Sequence, residues 1–203
     1  MNKKFVQSAF LVFITSVIVI VLAHTFVDGF GFHLNYTISR YVGLTQWSAT
    51  AFLICNVVVG ILLFQYLKQI RDAWGMPKRW WYASTLMLLM LVVLSIFPVG
   101  LYDEVWGEFG MVSTIHRVSS ATMFLLAIVT GLETTIKFRK SRFVKDFGAF
   151  FVVYGVAVAT LFAADSPVFW NAALIEETMF LVLYLILIMG IPKFEVGNKK
   201  LDD

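Results

Sequence analysis

Apolar residues along this chain come in long runs separated by short polar clusters. The pattern has neither the alternation of a half-buried strand nor the one-sided stripe of a helix lying on water. Six runs approach or exceed the ~20 residues a helix needs to cross about 30 Å of hydrocarbon: 5–23, 47–67, 80–102, 115–136, 147–164 and 168–191. Charged or turn-forming clusters bound them, among them Lys68 to Arg79, Asp103 to Gly110 and Lys137 to Asp146. A membrane β-barrel would instead need segments of ~10 residues that alternate apolar and polar, and none occurs. The expected fold is all-α: one polytopic membrane bundle of six transmembrane helices over 1–203, with no length left for a soluble domain.

Composition agrees. Of 203 residues 60% are hydrophobic and only 14% charged, with a mean hydropathy of +0.83, where a soluble domain carries about 25% charged residues. A single cysteine, Cys55, rules out a disulfide scaffold; within the second run it reads as inert packing. The placement of charge sets the orientation. Of the 16 basic residues all but Arg40 and Arg117 fall on one set of loops and tails, whereas Asp28, Asp103, Glu104, Glu108 and Asp165 collect on the other. By the positive-inside rule both termini are expected in the cytoplasm, in a multi-pass protein of the plasma membrane. The net charge of +3 expresses that bias, so no nucleic-acid partner is expected. The first run, behind Lys3 and Lys4, exceeds the usual 7–15 apolar residues of a signal peptide, and is expected to stay as a helix.

Smaller features refine the picture. Trp74, Trp80, Trp81 and Tyr82 on one side, and Trp47, Trp106, Phe169 and Trp170 on the other, are expected to form interfacial belts. The long connection from His24 to Gln46 contains Gly29-Phe30-Gly31-Phe32, which suggests a re-entrant turn or an interfacial segment. Gly155, Ala159 and Ala163, and likewise Ala127 and Gly131, repeat at four-residue spacing and predict close helix contacts. Lys137 to Lys145 forms a basic loop suited to anionic lipid or to docking a membrane or cytoplasmic protein. Glu133, one turn earlier, is expected to pair with Lys137.

Charges inside hydrocarbon are costly and therefore mark function by default. Glu176 and Glu177 lie about 12–14 Å into the last run at 1.5 Å per residue, and Tyr184 falls seven residues after Glu177 on a similar face. His116 and Arg117 open the fourth run from the same outer side, with His24 at the rim. These residues are the candidate site: His116, Glu176 and Glu177 for acid–base work, with Arg117, His24, Ser39 and Tyr184 for binding. The plainer alternative is that Arg117 neutralises a glutamate and His116 caps a backbone group, with no chemistry. His24, Asp28, His33 and His116 are ligand types that suit zinc, yet no HExxH, HxxxH or CxxC spacing occurs. Neither haem ligation across the membrane nor a Gly-rich phosphate loop is legible, so no metal or other cofactor is expected.

Several short motifs occur in order: Ile38-Ser39-Arg40-Tyr41-Val42-Gly43 at the end of the first outer loop, Trp47 opening the second helix, Ser95-Ile96-Phe97-Pro98 ending the third, and Ile115-His116 beginning the fourth. On these residues the chain resembles the DUF998 family of six-helix bacterial membrane proteins, distantly similar to the Frag1/DRAM/Sfk1 type. The resemblance implies the fold and topology, with Ser39, Pro98 and His116 as signature positions, and it makes membrane lipid a plausible partner. It implies no catalysis. The ceramidase-like hydrolases are a rival, but their paired-histidine motif is absent and they have seven helices. Three functions follow: a binder of lipid or small amphiphile in an outward-facing cavity, or an assistant to a partner; an intramembrane lipid-acting enzyme using His116 with Glu176 or Glu177; and a small proton-coupled transporter. The first predicts an apolar crevice, with the charges merely paired.

Overall fold

A computed structural model describes residues 4–29, 31, 38–98, 110–140 and 142–163. The sixth predicted run, 168–191, lies outside them. Every element among the described residues is helical: α1 (Lys4–Leu22) continued by a π-helical turn (Ala23–Val27), a short α2 (Ile38–Val42), α3 (Gln46–Trp74), α4 (Lys78–Ile96), α5 (Met111–Lys137) and α6 (Arg142–Ala163). Among the described residues four segments, Lys4–Val27, Gln46–Trp74, Lys78–Ile96 and Thr114–Lys137, are long and apolar enough to cross a membrane. Their outer surfaces suit lipid rather than water, since Leu11, Ile54, Leu89 and Leu125 are all exposed.

Each long helix lies against the next: α1 on α3, α3 on α4, α4 on α5, α5 on α6. Contacts at their ends make the neighbours antiparallel: His24 stacks on Trp47, Arg71 lies over Trp81, His116 meets Phe97 O, and Gly148 faces Thr135. One end of the bundle therefore gathers Lys4, Lys78, Arg79, Lys137 and Arg142, and the other gathers His24, Trp47 and His116. We call these the basic end and the histidine end.

The helix limits have local causes. Thr45 caps α3, its Oγ1 accepting from Ser48 N at 3.4 Å. At the other end Gly75 takes the left-handed conformation (φ 56°) that glycine adopts at low cost, and Met76 N donates back to Arg71 O at 3.3 Å. At 29 residues and 1.5 Å per residue, α3 is about 43 Å long. It runs through Lys68 to Trp74, assigned from the sequence to a loop, because Ile70 is buried there and the Arg71 guanidinium sits 4.4 Å from the Trp81 ring centroid. Pro98 halts α4 two residues after Ile96, since a proline disfavours helical backbone in the residue before it; Phe97 leaves the helix at φ −117°, ψ 66°. Within the long first loop, α2 buries Tyr41 and Val42 against Ile20, Ala49 and Phe52, and Gly29 and Gly31 both take positive φ.

Polar side chains bind helix to helix inside the apolar core. Trp80 is fully buried and donates Nε1–H to Thr134 Oγ1 at 3.0 Å, while Thr134 donates onward to Thr130 O. Trp80 is thus a core residue of the α4–α5 seam rather than a member of an interfacial belt; Tyr82, 67% exposed, keeps the belt position. Hydrogen bonds between membrane helices contribute about 0.6–2 kcal/mol each. A second correction concerns Glu133. Its partner is Arg79, with Nε to Oε1 at 2.6 Å, rather than Lys137 one turn along. The carboxylate is nearly buried on the face turned to α4, where Arg79 reaches it; Lys137 is exposed.

Small residues do mark a close contact, between α5 and α6. Ala127 and Gly131 are buried, and a Cβ on Gly131 would overlap the Phe151 ring. The tightest approach is at Gly148, where an added Cβ would overlap Thr135 Oγ1. Gly155 is buried too, whereas the side chains of Ala159 and Ala163 lie outside the described residues.

Candidate functional site

The histidine end carries two polar constellations of different character. The first joins α4 to α5. His116 is 7% exposed, and its Nδ1 lies 2.7 Å from Phe97 O and 3.2 Å from Leu94 O. Carbonyl oxygens only accept, so Nδ1 carries the proton and caps the last turn of α4, where helix carbonyls have no partner of their own. Beside it, Asn56 of α3 donates Nδ2–H to Ser95 Oγ at 2.7 Å, and Ser95 donates in turn to Leu91 O at 2.7 Å. Because the Ser95 proton is committed to that carbonyl, Asn56 must present its amino group, and its Oδ1 stays buried without a partner. This set ties α3, α4 and α5 together.

The second constellation lies at the end of α1. There the backbone widens into a π turn, with Asp28 N donating to Ala23 O at 3.2 Å across five residues. Such turns are uncommon and concentrate at functional sites. This one sets His24 and Asp28 together, with Nδ1 2.6 Å from Asp28 Oδ2. The histidine is 1% exposed and its carboxylate partner 43% exposed. The imidazole stacks on Trp47 of α3, centroids 5.4 Å apart and planes 26° from parallel. In the neutral tautomer, giving Nδ1–H to the carboxylate leaves the lone pair at Nε2. That atom is buried and unpartnered. An unmet buried polar atom costs about 1–3 kcal/mol, so it needs an explanation at a structural site.

From Trp47 and Ile20 toward the basic end, a crevice of about 470 Å³ lies between α1 and α3. Leu11, Val19 and Ile20 form one wall, and Trp47, Ala51 and Cys55 the other. The three α3 residues recur at four-residue spacing and so share one face; the small Ala51 leaves the space. The surface is almost wholly apolar, and Ser16 within it spends its hydroxyl on Phe13 O at 2.7 Å. Cys55 is consequently half-exposed on a cavity wall rather than inert packing. A volume in this range matches small-molecule sites, which run about 300–1,000 Å³.

Of the residues singled out from the sequence, the structure places His24 against Trp47, a residue of the crevice wall, and His116 in the α4 cap. Arg117 follows His116 on α5 but is exposed, so the two side chains leave the helix in different directions. Ser39 lies in the first turn of α2, with its side chain outside the described residues. Glu176, Glu177 and Tyr184 also lie outside them, as does His33. Among the described residues no three His, Cys, Asp or Glu side chains gather as a metal site would require. Sequence reasoning missed Asn56 and Ala51, and noticed Asp28 as an outer-side acid and a zinc-type ligand rather than as the partner of His24. The available signals were an amide inside the run Ile54 to Val59 and the four-residue spacing from His24 to Asp28.

No protein-family model, no curated protein and no solved structure matches the chain.

Proposed function

We propose that the chain is a six-helix plasma-membrane protein with both termini cytoplasmic, built on the plan of the DUF998 family, and that it binds a lipid or small amphiphile from the extracytoplasmic leaflet. The observation that carries the reading is the apolar crevice between α1 and α3, open toward lipid and roofed by Trp47. Orientation is supported by the bundle's two ends: the described basic side chains other than Arg117 gather at one, and the crevice occupies the half belonging to the other. An acyl tail laid between Leu11, Val19 and Cys55 meets walls that are apolar apart from Thr15 and Ser16, while its head reaches Trp47, an amphipathic ring of the kind that settles at membrane interfaces. The basic loop from Lys137 to Lys145, exposed at Lys137, Arg139, Lys140 and Arg142, would then face anionic cytoplasmic lipid.

The lone cysteine makes a built-in reporter. In the purified protein, Cys55 is expected to react with a small maleimide, and a single-chain amphiphile such as monoolein to slow that reaction in a saturable way. An unsaturable effect, equal to dilution by added lipid, would count against a binding crevice.

A further inference from the structure

We propose that the His24–Asp28 pair is the polar anchor of this crevice and selects an amphiphile whose head bears a hydroxyl: Nε2 of His24 accepts the hydroxyl proton while the acyl tail lies between α1 and α3. The inference rests on the crevice reading above and adds the chemistry of the head.

Three observations converge on it. Nε2 is an acceptor with nothing to accept from, on a ring that is 1% exposed. Thr25, the nearest hydroxyl along the chain, has its Oγ1 turned to Gly31 O at 3.5 Å. The second observation is the tautomer. Asp28 holds Nδ1 at 2.6 Å, which orients the imidazole and keeps the lone pair on the opposite nitrogen, as carboxylate partners of functional histidines do. A lone pair is satisfied by a donor, so a hydroxyl fits where a methyl ester or an ether cannot. Position is the third. His24 follows Ile20 by one turn and stacks on Trp47, and both of these residues line the crevice. Trp47 stacks on the imidazole, lines the crevice and is itself 46% exposed, so the proposed head group reaches Nε2 past this indole. The same indole carries an N–H donor suited to the ester carbonyl that follows a glycerol hydroxyl in a monoacylglycerol.

The balance of donors and acceptors is then complete: the ligand hydroxyl donates to Nε2, Nδ1–H donates to Asp28, and the partly exposed carboxylate keeps its contact with solvent. No bond is made or broken; this is a recognition device.

The test compares two esters that share one tail. With the full-length protein in nanodiscs, protection of Cys55 from N-ethylmaleimide is titrated with 1-monoolein and with methyl oleate. Monoolein is expected to protect at about a tenfold lower mole fraction, the size of one well-formed hydrogen bond to a buried acceptor. His24→Phe keeps an aromatic ring against Trp47 and removes both nitrogens; the ratio should fall to about one. Asp28→Ala, at a partly exposed position, frees the ring to turn and should reduce the ratio in the same direction. Equal protection by the two esters in the unmodified protein would overturn the anchor while leaving the crevice. A preference that survives either substitution would also overturn it. Protection by neither ester would overturn the crevice reading and the anchor with it.

Discussion

Gly148→Leu is expected to undock α6 from α5 and to remove several kcal/mol of stability. The reason is geometric. Gly148 faces Thr135 across the interface so closely that a bare Cβ would overlap Thr135 Oγ1, and the Thr135 side chain is fixed by donating to Gly131 O at 2.8 Å. The contact is reciprocal, since Gly131 receives the ring of Phe151, which is fully buried. Two glycines, one on each helix, thus accept a side chain from the other. Overpacking a tight site costs about 1–3 kcal/mol and sometimes more, and a leucine exceeds the space by four carbons. Thermal unfolding in a mild detergent checks this, with Gly60→Ala as the reference. A Cβ at Gly60 meets only Val92 Cγ2, at 3.8 Å, and alanine favours a helix by about 1 kcal/mol over glycine. Gly60→Ala should therefore hold or raise the midpoint while Gly148→Leu lowers it sharply. Equal midpoints would mean that α5 and α6 do not pack as described.

Filling the crevice should have the second large effect, on binding rather than on folding. Ala51→Trp puts an indole into the crevice of about 470 Å³ from the α3 wall, between Trp47 and Cys55. The residue borders open space, so the larger ring is accommodated by occupying the cavity rather than by displacing the core. Saturable protection of Cys55 by monoolein should weaken by at least about tenfold, the equivalent of 1.4 kcal/mol and less than the transfer energy of two methylenes at ~0.8 kcal/mol each. Leu125→Trp, at a position 57% exposed on α5, gives the matched substitution on a lipid-facing surface and should leave protection unchanged. If both variants bind alike, the ligand does not sit between α1 and α3.

Much of the helical architecture was legible because hydrocarbon imposes one length and one polarity on whatever crosses it. The runs at 5–23, 47–67, 80–102, 115–136 and 147–164 each correspond to a described helix, and the bounds shift where an end does something the period does not reveal. Thus α3 continues to Trp74 because Ile70 and Arg71 find partners, and α1 passes into a π turn that a hydropathy profile registers only as more helix. Trp80 illustrates a different limit. A tryptophan beside Lys78 and Arg79 reads as an interfacial anchor, and only the position of Thr134, 54 residues on, makes it a core donor.

The site was less legible for the same reason. His24 was visible as a histidine at the end of an apolar run, and Asp28 as an acid four residues later, but their junction depends on backbone geometry that no residue type announces. The crevice is defined by what is missing, a side chain at Ala51, and small residues signal close packing as readily as they signal space. Gly148 shows the converse: it stands outside any repeated small-residue spacing, yet makes the tightest helix contact among the described residues.

The most direct measurement is photolabelling in nanodiscs with a monoacylglycerol carrying a diazirine near the end of its chain, followed by peptide mapping with and without excess unlabelled monoolein. Bulk lipid touches every outward face, so the informative fraction is the label that competitor removes. That fraction should concentrate on 11–20 of α1 and 47–55 of α3. Competable label spread evenly over α5 and α6, with none on those two segments, would contradict a lipid site in this crevice.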